Sequence, residues 1–331
     1  MKPSLLVLEL WALGDLALAS PFLQQASRHF EVTLIAKPLA TELGYRLWPK
    51  VNVIPFKAPW TVFRGKYRLH IWPWRTIRLL VRALRATEFD LAVSARWDPR
   101  DHLLMWLVGA KRRIGFPRVG SQAFLTDALD HRTSSSHQFD RWQRLAVEIG
   151  IDLSRSIAAR DNERGTIVLV HTGAGQAVRA WPLDRYRELV RRLRERGYAV
   201  KVLCDPDQLT FWHAHGESVT APRTITELTG LLGTARILIG NDSGPGHLAA
   251  ILGIPTFTIF GPQLPRVFAP IHPSSEWIEG SPCPYKPCFD SCRYSVPHCI
   301  LNLDEETVWQ RVEQFVAKQM PVARQPEPKL V

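Results

Sequence analysis

Residues 237–262, ILIGNDSGPGHLAAILGIPTFTIFGP, decide the fold class of this chain. An apolar strand ends at Asn241, a short helix begins near Pro245, and a second apolar strand begins near Thr256. Asp242 and Ser243 supply capping side chains, and proline suits the first position of a helix. A strand, a helix and a strand in this order predict a parallel βαβ unit, whose ligands bind beyond the carboxyl ends of the strands.

The same alternation of apolar strands and helical patterns extends over most of the 331 residues. It predicts strands at 4–10, 32–36, 51–55 and 91–94, and again at 167–171, 200–204, 237–240 and 256–260. We therefore expect two doubly wound α/β domains, and a cleft between two such domains is the natural ligand site.

A change of pattern marks the boundary between the two halves. Residues 116–139 lack strong periodicity, and the charged segment DNERG at 161–165 is typical of a linker. We place the domains at 1–160 and 161–320, followed by a tail at 321–331 whose prolines and polar residues predict disorder.

Composition and charge exclude several classes of protein. With 46% hydrophobic and 22% charged residues, the chain is typical of a globular protein. It has no apolar run of about 18 residues, and its first residues enter a strand rather than a signal peptide, so we expect a cytoplasmic location. Lys and Arg number 42 against 31 Asp and Glu, and the net charge of +11 favours anionic partners.

Residues 67–86, YRLHIWPWRTIRLLVRALRA, predict an amphipathic basic helix. A solvated charged face over a packed apolar face explains this pattern. An element that lies on a membrane surface explains it equally well, because Tyr67, Trp72 and Trp74 adjoin the helix. The basic face carries Arg75, Arg78, Arg82 and Arg85.

Four of the five cysteines fall in one short stretch near the C-terminus: Cys283, Cys288, Cys292 and Cys299. Their spacing lacks the paired C-x-x-C knuckles of well-defined zinc sites. Zinc, a local disulfide and free thiols all remain open.

Two turns in the sequence offer candidate catalytic and phosphate-binding groups. Asp15 follows the first strand and Gly14, where it is either a helix cap or a carboxylate base. In the turn after the strand at 167–171, Gly173 lets backbone amides approach a phosphate. Arg179 further along that turn is either solvated or clamps a phosphate with its planar guanidinium.

The turn at 241–247 is the strongest of these signals. Its small residues leave the amides of the first helical turn uncovered, and those N–H groups and the helix dipole favour an anion such as phosphate. The triplet Asp-Pro-Asp at 205–207 predicts a polar turn that contacts a ribose, because two carboxylates alone make a poor metal site.

Together these segments resemble the bacterial ADP-heptose:lipopolysaccharide heptosyltransferases. The resemblance rests on the Gly14–Asp15 turn, RRIGFPR at 112–118, the Arg-x-Trp-Pro turn at 179–182, the block at 241–262 and the Cys-Pro cluster. It implies a GT-B fold, an α/β architecture of two Rossmann-like doubly wound domains facing a central cleft. It also implies inverting transfer of heptose from ADP-heptose to the inner core of lipopolysaccharide, without a metal or other cofactor.

The resemblance assigns roles to individual residues. Asp15 matches the catalytic base of the family. Arg179 stands where the family has a lysine that contacts phosphate, and this departure is compatible with a different donor because the two cations differ in geometry. The implied donor-binding residues are Thr172, Gly173, Arg179, Asp207, Asp242, Ser243, Gly244 and His247.

The implied partners are a nucleotide-sugar donor and a lipid-anchored lipopolysaccharide core acceptor. The Arg75–Arg85 face is expected to meet this acceptor and an anionic membrane surface, which places the protein on the inner face of the cytoplasmic membrane. Alternatives are a nucleotide-sugar epimerase of the same architecture and a family member with another nucleotide sugar. Nucleic acid is not an expected partner, because no recognition motif is present.

Overall fold

The computed structural model describes residues 2–62, 66–130, 137–153, 165–288 and 291–320. The chain divides into two compact units. Unit 1 comprises residues 1–157, 224–226 and 266–271, and unit 2 comprises residues 158–223, 227–265 and 272–331. The predicted boundary at residue 160 and the predicted tail at 321–331 lie outside the described residues.

The first half of the chain forms a six-stranded parallel sheet in the order β3-β2-β1-β4-β5-β6. Its elements are β1 (Ser4–Glu9), α1 (Leu13–His29), β2 (Glu31–Ala36), α2 (Leu39–Leu47), β3 (Asn52–Pro55), α3 (Trp74–Arg85), β4 (Leu91–Ser94), α4 (Pro99–Val108), β5 (Arg112–Gly115), β6 (Asp127–Ala128) and α5 (Gln138–Glu148).

The second half repeats this plan in the order β12-β11-β10-β7-β8-β9, again with every pair parallel. Its elements are β7 (Ile167–His171), α6 (Leu183–Glu195), β8 (Ala199–Leu203), α7 (Leu209–Ala214), β9 (Val219–Thr220), α8 (Ile225–Leu232), β10 (Ala235–Asn241), α9 (Gly244–Ile251), β11 (Thr256–Phe260), α10 (Pro265–Phe268), β12 (Glu276–Glu279), α11 (His298–Leu301) and α12 (Glu305–Gln319).

Each sheet therefore has one point where the strand order reverses. In the first it lies between β1 and β4, and in the second between β7 and β10. Ligands of open α/β sheets bind beside such switch points, at the carboxyl ends of the strands. The predicted α/β class of two doubly wound halves is confirmed, and the strand ends beside these switch points are where a site is expected.

Helix α6 shows how the sequence builds the core of unit 2. Tyr186, Leu189, Val190 and Leu193 recur at helical spacing and are all buried, whereas arginines and glutamates occupy the opposite face. Burial of each of the three aliphatic side chains contributes about 1.5–3 kcal/mol before conformational entropy is deducted. The buried face of α6 thus packs against the sheet whose strand ends carry the site residues.

Candidate active site

Asp15 lies in the first turn of α1, not in the turn before it. The helix begins at Leu13, so Asp15 is its third residue. One carboxylate oxygen of Asp15 accepts a hydrogen bond of 3.1 Å from the backbone N–H of Ala12. The helix-cap interpretation is therefore correct for this oxygen, and the other oxygen remains for further contacts.

That second oxygen of Asp15 is bonded to the guanidinium of Arg96. Arg96 lies just past the end of β4, and β4 pairs with β1, with Ser94 opposite Leu8. The same guanidinium lies 4.0 Å from Oε1 of Glu9 and 5.0 Å from the ring centroid of Trp11. The switch point of the first sheet therefore carries two carboxyl groups joined by one arginine.

Glu9 is almost fully buried, with 1% of its surface exposed. Burial raises the pKa of its carboxyl group to about 8, although the nearby charge of Arg96 acts in the opposite direction. Its Oε1 also accepts a 3.2 Å hydrogen bond from the backbone N–H of Trp11. Burial therefore favours the protonated form of this carboxyl group.

Arg96 is held in place through its backbone. Its N–H donates to the hydroxyl of Ser94 (3.2 Å), and its carbonyl accepts from Nε2 of His102 (3.1 Å). Because burial lowers the pKa of His102, this imidazole is neutral, and its Nδ1 accepts from the hydroxyl of Ser121 (2.9 Å). These buried contacts fix the loop that aims Arg96 at Asp15.

Sequence reasoning identified Asp15 but missed Glu9 and Arg96. The available signal was the pairing of the first and fourth strands, because their carboxyl ends meet at one edge of the sheet. A cavity of about 10 Å³ opens at this edge, roughly the space of one water molecule. Its lining consists of Glu9, Asp15, Leu18, Ala95, Arg96, Gln138 and Trp142.

The turn at 241–247 of unit 2 joins β10 to α9, as predicted, but the expected cap by the Ser243 side chain is absent. Ser243 is the N-cap residue of α9, and its side chain makes no capping hydrogen bond. Asp242 is buried, and its Oδ2 lies 3.4 Å from Nη1 of Arg179. The structure therefore brings Arg179 to the turn that leads into α9, as expected if both contact one diphosphate.

Asn241 joins the two turns on which these residues lie. Its Oδ1 accepts from the backbone N–H of Trp181 (3.0 Å), and its Nδ2 donates to the carbonyls of Thr172 (2.9 Å) and Gly173 (3.3 Å). Sequence reasoning treated this residue only as a strand end. Its amide is 2% exposed and fixes the backbone on both sides of Arg179.

Thr172 and Gly173 pack against the turn after β8. The Thr172 hydroxyl donates to Oε1 of Gln208 (2.8 Å). A Cβ atom added to Gly173 would lie 2.4 Å from the carboxyl group of Asp205, so a larger residue there would require the Asp205 side chain to move. Asp205, and not Asp207, faces this turn, whereas Asp207 is exposed within the 3-10 turn Pro206–Gln208.

His171 and His247 complete the buried polar groups at this edge of the second sheet. His171 ends β7, with Nε2 at 3.9 Å from Oδ1 of Asp205, and burial lowers its pKa to about 4, so it is neutral. His247 is buried on α9, the same short helix that begins with Gly244. The predicted donor residues, apart from the exposed Asp207, thus gather at the switch point between β7 and β10.

Helix α3 is amphipathic, as predicted. Ile77 and Leu84 are buried, whereas all four predicted arginines are exposed. Large apolar side chains also face outward around the helix: Tyr67, Leu69, Ile71, Trp74 and Leu79.

The five cysteines are free thiols. Within the described ranges, no cluster of three or more His, Cys, Asp or Glu side chains has a geometry that could hold a metal ion. The described helices include none that is both long enough and apolar enough to span a bilayer.

Two parallel six-stranded sheets, each doubly wound by helices, form the two-domain α/β architecture of the GT-B fold. The family model of glycosyltransferase family 9 (heptosyltransferase) matches residues 77–296. The chain belongs to glycosyltransferase family 9.

Known proteins of this kind are similar to the chain over most of its length. Lipopolysaccharide heptosyltransferase 1 of Pseudomonas aeruginosa PAO1 is 26% identical over 325 residues, which covers 86% of this chain and 85% of the relative. A family 9 glycosyltransferase from Veillonella parvula superposes with a TM-score of 0.74 at 17% identity, covering 96% of this chain and 98% of that one. Escherichia coli heptosyltransferase WaaC with ADP superposes with a TM-score of 0.73 at 16% identity, covering 94% and 99%.

Proposed function

We propose that this protein transfers a heptose from ADP-heptose to the inner core of lipopolysaccharide, with inversion at the anomeric carbon. The observation that carries the proposal is the family match over residues 77–296, which contains the Arg179–Asp242 contact at the anion turn. The curated relative from Pseudomonas, itself a lipopolysaccharide heptosyltransferase, supports the same donor and acceptor classes.

In the proposed reaction Asp15 is the general base. Its carboxylate takes the proton of the acceptor hydroxyl as the hydroxyl oxygen attacks the anomeric carbon, and the bond from that carbon to the diphosphate oxygen breaks. A single displacement of this kind inverts the anomeric configuration. Arg96 is a positioning residue in this scheme, because it holds the Asp15 carboxylate from one side while Ala12 holds it from the other.

The departing ADP carries the negative charge that develops in the transition state. Arg179 and the uncovered amides at the start of α9 supply positive charge to the diphosphate, so they stabilise the leaving group more as the bond breaks. An arginine at this position can form two parallel hydrogen bonds to phosphate oxygens, which a lysine cannot. No step in this scheme needs a metal ion.

We also propose that the exposed face around α3 binds an anionic membrane surface. Arg75, Arg78, Arg82 and Arg85 are exposed on it, and Trp74 and Leu79 place apolar surface among these charges. Arginines attract acidic headgroups while aromatic and aliphatic side chains enter the interface. The protein would then bind its lipid-anchored acceptor at the membrane surface in which that acceptor is anchored.

The direct test measures ADP released from ADP-heptose by purified protein, with and without heptose-deficient lipopolysaccharide, in the presence of a chelator. Release that needs the acceptor and survives the chelator supports a metal-independent heptosyltransferase. Interconversion of the nucleotide sugar without acceptor would instead indicate the epimerase alternative. Folded protein that releases no ADP would mean that the donor or the acceptor is wrong, and other nucleotide sugars would then be screened.

A further inference from the structure

Arg141 is a buried arginine near the base that the proposed reaction does not use. It lies on α5 and is 6% exposed, and its Nε and Nη1 atoms have no hydrogen-bond partner among the described residues. Burial of a charged group without a partner is costly, so such a group is normally paired with a counter-ion or a ligand. The guanidinium of Arg141 therefore has donors to offer to a bound molecule.

The surroundings of Arg141 make it a receptor for negative charge. Its guanidinium carbon lies 4.2 Å from the ring centroid of Trp97. Burial, together with repulsion from Arg96, lowers the pKa of Arg141 to about 10, which still leaves the group cationic at neutral pH. Of the nearby acids, Asp15 is bonded to Arg96, and burial favours the protonated form of Glu9.

The position of Arg141 links this charge to the proposed acceptor. Gln138 and Trp142 lie on the same helix, three residues before Arg141 and one residue after it, and both line the cavity that holds Asp15. A ligand whose hydroxyl reaches Asp15 therefore places its neighbouring substituents close to α5. A planar guanidinium stacked on an aromatic ring is well suited to bind a carboxylate or phosphate through two parallel hydrogen bonds.

We infer that Arg141, stacked on Trp97 beside Arg96, forms a subsite for an anionic group of the acceptor, either a carboxylate or a phosphate. This inference rests on the proposed function for the identity of the acceptor. It adds a specificity determinant, because the subsite selects acceptors that carry negative charge next to the reacting hydroxyl.

The kinetic test compares Arg141→Gln with the wild type for both substrates. We expect the KM for heptose-deficient lipopolysaccharide to rise at least about tenfold, with little change in the KM for ADP-heptose, because only the acceptor loses a contact. The acceptor KM of Arg141→Lys should lie between those of the wild type and Arg141→Gln, since lysine keeps the positive charge but lacks the planar guanidinium. The matched control is Arg144→Gln on the same helix, whose guanidinium donates to the backbone carbonyl of Asp130 (3.2 Å).

Masked acceptors identify the anionic group. One sample of the acceptor has its carboxyl groups converted to methylamides, and another is treated with phosphatase. The wild type should lose at least about tenfold in kcat/KM with one of them, whereas Arg141→Gln should lose less than twofold further with that same sample, because the contact is already absent. Equal losses for both proteins with both masked acceptors would overturn the subsite, as would an unchanged acceptor KM in Arg141→Gln.

A binding test separates this inference from the proposed function. With the donor site filled by saturating ADP, phosphate or acetate is compared with chloride at equal ionic strength, and the thermal unfolding temperature is recorded. Phosphate or acetate should stabilise the wild type and Arg144→Gln more than Arg141→Gln. The same stabilisation in all three proteins would refute the subsite even if another acceptor proves to be the true one. A wild type that turns over no acceptor, yet shows this difference, would refute only the proposed function.

Discussion

The guanidinium of Arg96 is bonded to the carboxylate of Asp15. The backbone of Arg96 is fixed by hydrogen bonds to the side chains of Ser94 and His102. The base is thus oriented from two sides, because the N–H of Ala12 binds one oxygen and Arg96 binds the other. A side chain held in this way loses little further freedom when the acceptor binds, and preorganised groups catalyse best.

Replacement of Asp15 tests its assignment as the base. Asp15→Asn keeps the shape and the contact with Ala12 but cannot take a proton, so we expect turnover to fall by about a hundredfold or more. ADP affinity, measured by calorimetry, should remain near that of the wild type, because the proposed donor residues lie in unit 2 and Asp15 lies in unit 1. Turnover within a few-fold of the wild type would exclude Asp15 as the base.

Replacement of Arg96 separates positioning from chemistry. Arg96→Met removes the charge that orients Asp15 while keeping a side chain of similar length, and we expect kcat to fall by about tenfold with a smaller change in the KM for ADP-heptose. Arg100→Met provides the control, because Arg100 on the neighbouring helix pairs with Asp98 rather than with Asp15. Equal effects of the two substitutions would point to a general loss of stability.

The buried Glu9 predicts a pH dependence of stability. Its folded-state pKa of about 8 lies above its ordinary value of 4.5, so the folded state binds more protons than the unfolded state between these two values. The free energy of unfolding therefore falls as pH rises from about 4.5 to 8 and is independent of this group above pH 8.

Glu9→Gln, which has no proton to lose, should match the wild type near pH 4.5 and be more stable at pH 8.5. We expect a difference in melting temperature of at least about 2–4 °C, the shift that corresponds to ~1 kcal/mol in a domain of this size. Melting temperatures that differ by the same amount at both pH values would contradict the burial of an ionisable group at this position.

Arg179 should bind the diphosphate of the donor rather than its nucleoside. Arg179→Ala is expected to weaken ADP binding by about tenfold or more while leaving adenosine binding nearly unchanged, because a hydrogen bond to a charged group contributes about 1.5–3 kcal/mol. Arg187→Ala on α6, whose guanidinium lies 3.8 Å from Asp184 at the surface, is the matched control. Equal losses for ADP and adenosine would assign Arg179 a structural role.

The four arginines of α3 should govern binding to anionic vesicles. Their combined replacement by Gln is expected to reduce binding to phosphatidylglycerol-containing vesicles by at least about tenfold, since each basic residue near such a surface contributes about 1 kcal/mol. The control removes the same charge from α6, at Arg187, Arg191, Arg192 and Arg194, whose partners are acidic side chains. Sedimentation with vesicles measures the binding of both variants. Equal losses of binding would show that net charge, and not the position of the α3 arginines, governs the interaction.

Sequence patterns predicted the two doubly wound halves because strands and helices alternate with clear turn signals between them. The block at 241–247 also predicted the turn from β10 into α9, since small residues and a proline coincide there, whereas anion binding at this turn stays a prediction. The partners Arg96, Glu9 and Asn241 could not be predicted in the same way. Their roles depend on which strands become neighbours, and β1 and β4 pair although 81 residues of chain separate Glu9 from Leu91.

The Asp-Pro-Asp turn illustrates a different limit. From the sequence, Asp205 and Asp207 fit a polar turn equally well. The structure shows that Asp205 is the aspartate that lies next to Gly173. The donor role of Asp207 stays a prediction.

The repeated strand order has a consequence for how such an enzyme diversifies. Both sheets use the same layout, yet the first switch point carries the Asp15–Arg96 pair and the second carries Arg179 beside Asp242. The chemical difference between the halves thus resides in a few loop side chains and not in the architecture beneath them. For the proposed donor site, redesign toward another sugar nucleotide can therefore concentrate on the short turns after β7, β8 and β10, with every strand left as it is.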